Sequence, residues 1–571
     1  MARTQHVHFL RALAADHAAA DRLQLPVAEY RELRDEALAE PDGPSRRALL
    51  RRSVALGLGV AAFGTQAVRS RPAHADVSAA GTTVGKAGGP NARVAIVGAG
   101  ISGLAAALTL ADKGVAATVY EANPVRIGGR MYSQGSPANP GFWDQGQVSE
   151  YGGELVDTGH HTLIDLCQRF GLGLTPVRHV YGSQADQVLW FQGGYYDRAQ
   201  ADADFQPVYK NIQSDMNWAK NTIPGYNNTN PGATALDGMS IVDWINTRVP
   251  GGEGSKLGAF LDVAYNVEYG ADCADQSAWA LLSLLAYQTK PAHFNIWGLS
   301  DERYHITGGN DQLPQLIEAA LPAGTVQRGM TLLAVVRNAD GTQTLTFATD
   351  GGGTRTVTAD HTVLAVPLPI LQQHVDLSKA GLDPMMQGVL ANMRMGYCTK
   401  LNMQFTGRPW VGTGPWPGSS NGEAFADLAF QQVWDVTRGQ SGSNGILIQY
   451  GGGSLAYGLK PPSAFTDASA AYTRNLVGSY LAQIEKLFPG TTALWNGKAK
   501  LSAWHLNPYS YGAYSMWPVN YVHQYAGYER VAQGNLHFAG EHTSTDFQGY
   551  MNGGADEGQR AGNEVLAALG M

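Results

Sequence analysis

Val94-Ala95-Ile96-Val97-Gly98-Ala99-Gly100-Ile101-Ser102-Gly103, continued by an alanine- and leucine-rich run to Lys113, is the stretch that decides the fold. Four apolar residues predict a short buried strand, and Leu104–Leu110 the first turns of a helix. Between them the glycines fall as G-x-G-x-x-G. Gly98 permits the tight turn, Gly100 lets backbone approach a diphosphate, and Gly103 lets helix pack close on strand. The diphosphate then meets a helix N-terminus, where free N–H groups and the helix dipole favour an anion. A second strand, Ala117-Thr118-Val119-Tyr120, ends in Glu121, 21 positions beyond Gly100. At that spacing a carboxylate accepts the hydroxyls of an adenosine ribose, so the whole unit reads as a dinucleotide-binding βαβ.

The chain of 571 residues exceeds one ordinary core, so at least two domains are expected. Its 44% hydrophobic and 15% charged content describes a folded globular protein. With 40 Lys and Arg against 48 Asp and Glu the net charge is −8, and no long basic run lies beyond the N-terminal region, so nothing favours nucleic acid as a partner. Cys167, Cys273 and Cys398 are odd in number and far apart, so they predict three packed thiols and signal no disulfide framework and no metal site.

Residues 8–40 read as helical. Ser45-Arg46-Arg47 then precedes a modestly apolar stretch, Val54–Phe63, and Ala73-His74-Ala75 has the form of a cleavage site. Paired arginines, a short apolar core and A-x-A predict a twin-arginine export signal, hence a periplasmic or extracellular product, or a cytoplasmic one if the leader is retained. The apolar stretch is too short to span a bilayer, so no stable membrane insertion is expected. A homo-oligomer is compatible with the composition.

Downstream of Glu121, Gly128-Gly129-Arg130 pairs a close-approaching backbone with a fixed positive charge suited to diphosphate. Glu150-Tyr151-Gly152-Gly153-Glu154-Leu155-Val156-Asp157 is a second glycine-pinned approach to a ligand, followed by a helix from about His161 to Phe170. Residues 171–292 change character towards aromatics and Asn/Gly/Pro loops, as an inserted domain would. Thr331–Arg337, Gln343–Ala348 and Thr354–Thr358 alternate like antiparallel strands, and Thr362–Val366 is a fully apolar one. From Gly396 to Phe405 a strand-like run carries one charge, Lys400. Leu536-His537-Phe538-Ala539-Gly540-Glu541 reads as a strand ending in an acid, and Gly549-Tyr550-Met551-Asn552-Gly553-Gly554 opens the last helix.

Taken in order, VAIVGAGISGLAAA, YEAN…IGGR, YGGELVD, ITGGNDQLP, VLAVPLPIL, MGYCTKLNMQF, NLHFAGEHT and QGYMNGGADEGQRAGNEV resemble the flavin-dependent amine oxidase superfamily, which includes monoamine, polyamine and L-amino-acid oxidases. The resemblance runs from about Arg93 to Leu566. It implies FAD and an α/β fold: a Rossmann-like FAD-binding domain of the glutathione-reductase type, interleaved with an α+β substrate-binding domain. The expected segments are a leader and linker (1–90), FAD-binding stretches (91–170, 293–390, 504–571) and substrate-binding stretches (171–292, 391–503).

The resemblance also assigns residues. Gly98, Gly100, Ser102, Gly103, Glu121, Ala122, Gly129 and Arg130 would hold the ADP half of FAD. Gly152 and Gly153 would approach the flavin, Met330 the adenine through its backbone, and Gly540, Glu541, Tyr550 and Met551 the ribityl–isoalloxazine half. Lys400 matches a lysine that reaches flavin N5 through a water, against the alternative that it snorkels to the surface. Tyr514 and Tyr550 match two aromatics that flank the substrate amine, and Glu154 is expected at the substrate.

Two departures shape the chemistry. Ala513 stands where monoamine oxidases carry the cysteine that bonds the flavin, so non-covalent FAD is expected. Leu155 stands where venom-type L-amino-acid oxidases place an arginine for the substrate carboxylate. A buried carboxylate without a partner is costly, so Arg394 and Arg438 are the candidate replacements. The expected function is oxidative deamination of L-amino acids by O2 to 2-oxo acid, ammonia and hydrogen peroxide. Amines lacking a carboxylate are the alternative substrates.

Overall fold

In a computed structural model the structure describes residues 92–571, so the twin-arginine motif, the cleavage site and the helical reading of 8–40 lie outside the described residues. Residues 92–287 and 295–571 belong to one compact unit; 288–294 cluster separately and carry no helix or strand.

The nucleotide-type fold is centred on runs buried at every residue, Val94–Val97, His361–Leu364 and Leu536–Phe538. Five parallel strands lie in the order Leu536–Phe538, His361–Leu364, Val94–Val97, Ala117–Glu121 and Val326–Arg328. Such runs carry no alternation because helices and loops cover both sides of a parallel sheet. Gly98 leaves the first strand with φ 101°. A Cβ there would stand 2.5 Å from the Ala365 carbonyl oxygen, so only glycine makes this turn.

The helix Ile101–Ala111 packs on the last helix, Met551–Ala568, through small residues. A Cβ on Gly558 would lie 2.1 Å from the Ser102 carbonyl oxygen. The four-residue spacing of Gly554, Gly558 and Gly562 puts them on one face, so the C-terminal helix is seated directly against the glycine-turn helix. This brings Tyr550 and Met551, at its N-terminus, to the same end of the sheet as Gly98–Ser102.

The second layer is a nine-stranded mixed sheet, Phe465–Asp467 at one end and Gly194–Tyr196 at the other, with Cys398–Phe405 between Gly445–Gly452 and Trp495–Ala503. Every residue of Cys398–Phe405 is buried. Leu401, Met403 and Phe405 face an apolar core, while the alternate positions Lys400, Asn402 and Gln404 turn to the segment 144–154. The strand is thus buried on both faces, one apolar and one polar. The predicted antiparallel strands form Met330–Arg337, Gln343–Thr349 and Thr354–Ala359. Among the described residues no helix is long and apolar enough to cross a membrane.

Candidate active site

One continuous cavity of about 580 Å³ runs from the glycine turn, past Glu154 and Lys400, to a substrate end beneath the mixed sheet. It is lined by Gly98, Gly100, Ser102, Glu121, Ala122, Gly129, Arg130, Gly152, Gly153, Glu154, Met330, Lys400, Tyr514, Gly540, Glu541, Tyr550 and Met551. Gly103 alone of the predicted set does not reach it. A Cβ on Gly103 would lie 1.9 Å from the Gly98 carbonyl oxygen, so its task is to close helix on strand.

The glycine-turn end suits an anionic group. Gly100 caps the helix without any side-chain hydrogen bond, leaving its first N–H groups open. The Ser102 hydroxyl oxygen is buried at the cavity wall with no partner, and Arg126 and Arg130 also line this region. A diphosphate would satisfy these donors together. Glu121 ends the second strand, and its oxygens accept N–H groups of Ala99 (2.7 Å) and Asn123 (2.8 Å). The carboxylate predicted for ribose is therefore also a brace for the glycine turn.

Further along, Arg130 Nη1 donates to the Ala513 carbonyl oxygen (2.6 Å) and to Glu541 Oε1 (2.9 Å). Glu541 accepts in addition from Ser515 N and Oγ and from Gly549 N. Burial raises the pKa of this carboxyl, but Arg130 and its other neighbours outweigh burial and hold it below its ordinary range. Both oxygens of Glu541 are spent on protein donors. Its side chain ties the arginine loop to the C-terminal segment, and the residue lines the cavity where the ribityl half is expected. Gly152 and Gly153 face the cavity, but Arg130 O and the Met551 side chain are what leave no room for a Cβ there.

Lys400 is 7% exposed, so it does not snorkel to the surface. Its Nζ donates to Glu154 Oε2 at 2.9 Å, while Glu154 Oε1 accepts the Trp434 indole N–H at 2.8 Å. The ammonium lies 5.3 Å from the Trp434 ring and 5.9 Å from the Tyr450 ring. Burial opposes ionisation of Glu154, but the Lys400 charge and the indole donor prevail and keep its pKa below the ordinary value. Glu154 is thus the counter-ion of Lys400, and it lines the cavity in which it is expected to meet substrate.

Tyr514 and Tyr550, expected to flank the substrate amine, both line the cavity. The Tyr514 hydroxyl donates to Val267 O (2.6 Å), meets the Tyr450 hydroxyl (2.7 Å) and accepts from Cys398 Sγ (3.0 Å). That network fixes the ring. Tyr550 Oη donates to Glu268 Oε1 at 3.2 Å.

Motif reading missed Glu268, Glu302, Glu423, Gln432 and Trp434, all of which line this end. Gln432 donates to Glu423 (3.0 Å), and the backbone N–H of Glu302 donates to Asp157. Glu302 and Glu423, both half-buried, form an acid pair at the cavity wall, each raised in pKa chiefly by loss of solvation and drawn down by the Arg438 charge nearby. Of the two candidate arginines, Arg438 lines the cavity. Arg394 is exposed and donates to the carbonyls of Ala391 and Met393. Cys167, Cys273 and Cys398 are buried free thiols.

Comparison with known proteins matches residues 101–566 to the family described as flavin containing amine oxidoreductase. An L-amino-acid oxidase of Mus musculus is 25% identical over 82% of this chain and 70% of its own length. A nicotine dehydrogenase of Pseudomonas putida is 24% identical over 92% of this chain and 98% of its own. The solved structure of cyclohexylamine oxidase from Brevibacterium oxydans IH-35A superposes with a TM-score of 0.68 at 22% identity, covering 84% of this chain and all of that one.

Proposed function

The chain belongs to the flavin-containing amine oxidoreductase family, and on that premise we propose that it oxidises L-amino acids with a cationic side chain, using O2. The products are the 2-oxo acid, ammonia and hydrogen peroxide. Membership makes it a flavin-dependent enzyme acting on amine groups; the choice of substrate and the mode of flavin attachment are our inference.

One observation carries the choice. The substrate end holds three carboxyl groups, Glu268, Glu302 and Glu423, with a single arginine, Arg438. Burial holds the acid pair towards its neutral form; a neutral amino acid would leave it beside an apolar side chain, whereas a cation would draw the carboxyls into the ionised form that pairs with it. A substrate with carboxylate, α-amine and distal cation gives both signs of charge a partner. A diamine or polyamine is the second reading. It is favoured by Leu155 at the usual arginine position and by the attraction between Arg438 and the acid pair.

Gly98–Ser102, Arg126 and Arg130 would hold the diphosphate of FAD, and Ala513 offers no nucleophile for a covalent bond to its ring. When bound, the flavin supplies a two-electron acceptor that takes hydride from the substrate α-carbon and passes the electrons to O2. The chain's own work is positioning. Tyr514, locked through its hydroxyl, and Tyr550 present two fixed aromatic faces to the amine. Glu154 fixes the ammonium of Lys400 at the cavity wall, where a preorganised positive charge stabilises developing anion.

Peroxide release from matched pairs tests the reading: L-arginine against agmatine, L-lysine against cadaverine, L-ornithine against putrescine. Each pair differs only in the carboxylate. The amino acid of each pair should be preferred, and Arg438→Leu should erode that preference by roughly 10- to 100-fold, the worth of a charged hydrogen bond of about 1.5–3 kcal/mol. Faster turnover of agmatine, cadaverine and putrescine by the unmodified enzyme would overturn it in favour of the diamine reading.

A further inference from the structure

Hydride leaves an α-carbon only when the adjacent nitrogen has a free lone pair, so some group must take a proton from the substrate ammonium. Resting on the amine-oxidation reading above, we propose that Glu268 receives that ammonium and accepts its proton. The N–H bond breaks, an O–H bond forms on the carboxylate, and the electron pair stays on nitrogen; nothing is oxidised or reduced in this step.

The geometry singles out this residue. Glu268 lies near the C-terminal end of the helix Lys256–Tyr269. That end is clamped: a Cβ on Gly270 would lie within 2.9 Å of Cys398 Sγ and of the Tyr397 backbone. Consecutive residues then reach both cage tyrosines, the Val267 carbonyl holding Tyr514 (2.6 Å) and Glu268 Oε1 holding Tyr550 (3.2 Å). Its other oxygen, Oε2, accepts no hydrogen bond from the described residues, and the side chain opens on the cavity. An amine between the two rings therefore meets a free carboxylate oxygen.

Of the other acids at this end of the cavity, Glu302 makes no hydrogen bond to either cage tyrosine, and the remaining two are engaged by other side chains. Glu154 is bound to Lys400 and Trp434, and Glu423 accepts from Gln432. Neutral His160 does not line the cavity; burial pulls its pKa down to about 3. The titratable groups that face Glu268 from surrounding elements are Asp157, Glu302, Cys398, Tyr450, Tyr514 and Tyr550, none of them a cation. Burial raises the Glu268 carboxyl from its ordinary 4.5 to about 7, against the pull of the Tyr550 hydroxyl and with a further push from Asp157. A carboxyl tuned towards neutrality is a far better match for an ammonium proton than an ordinary one.

The test uses holoenzyme, wild type with Glu268→Gln and Glu268→Asp, and has two readouts. Anaerobic reduction by L-arginine, or by whichever amine bleaches the wild type, is followed across pH. The wild-type rate should fall below about pH 7. Glu268→Gln should lose that limb, slow by ~10²–10⁴-fold and instead climb with the free-base fraction of the amine, while Glu268→Asp keeps a limb. The second readout needs no turnover: tert-butylamine, which has no α-hydrogen, is titrated calorimetrically at pH 8 in buffers of different ionisation heat. Wild type should exchange no net proton, whereas Glu268→Gln should bind more weakly and release one. A Glu268→Gln enzyme with the wild-type pH profile and the same proton count and affinity overturns the proposal. A wild type reduced by no amine at all would instead overturn the functional reading beneath it.

Discussion

Removing the Lys400 ammonium should cost stability as well as rate, because its partner cannot escape to water. At 2.9 Å from Glu154 Oε2, with an effective dielectric constant of about 20, the attraction is about 6 kcal/mol. Desolvation consumes part of this in the intact pair, but Lys400→Met leaves Glu154 buried with only the Trp434 N–H, and breaking such a pair from one side costs about 3–5 kcal/mol. The folded-to-unfolded entropy of a chain this size is roughly 1 kcal/mol per degree, so the melting temperature should fall by about 3–5 °C. Glu154→Gln in the same protein removes the stranded charge and still accepts from Trp434. The doubly changed protein should therefore recover most of the loss, with a coupling of about 3 kcal/mol between the two sites. Thermal unfolding of the four proteins by circular dichroism measures this cycle. Strictly additive shifts would refute the buried ion pair and return Lys400 to a solvated position.

In the Lys400→Met enzyme, reoxidation of the reduced flavin by O2 should slow by ~10²–10³-fold in stopped flow, at least as much as reduction by substrate; equal wild-type rates would separate Lys400 from the chemistry. Acid precipitation should release intact FAD into the supernatant, since Ala513 cannot bond it; flavin retained on the polypeptide would contradict this. Gly103→Ala should give protein with depleted flavin and a stability loss of about 1–3 kcal/mol or more, because its methyl must displace the Gly98 carbonyl 1.9 Å away; the absorbance ratio of flavin to protein reports it.

Residues that bind through backbone were legible in sequence because local spacing dictates their conformation. Gly98 and Gly100 could be placed from four apolar residues and a helix start. Lys400 stood out as the lone charge in an apolar run, though its two-faced burial did not, since Asn402 and Gln404 read as ordinary strand polar residues. Glu154 and Glu541 were legible as positions but not as partners: the donors that engage them, Lys400 and Trp434 in one case and Arg130 and Ser515 in the other, come from segments remote in the chain. Glu268 sits in Asp262-Val263-Ala264-Tyr265-Asn266-Val267-Glu268-Tyr269, an unremarkable helix with no motif. Only the clamp at Gly270 aims it at the cavity. The acid pair Glu302 and Glu423 lies 121 positions apart and exists only in three dimensions.

Anaerobic mixing of the purified enzyme with L-arginine tests cofactor, reaction and substrate together. The visible flavin band should bleach in a single turnover with one 2-oxo acid formed per flavin, and admitting O2 should restore the band with one hydrogen peroxide released. A band unchanged by L-arginine, L-lysine and L-ornithine, yet bleached by agmatine, cadaverine or putrescine, would contradict the assignment of a cationic amino acid as substrate.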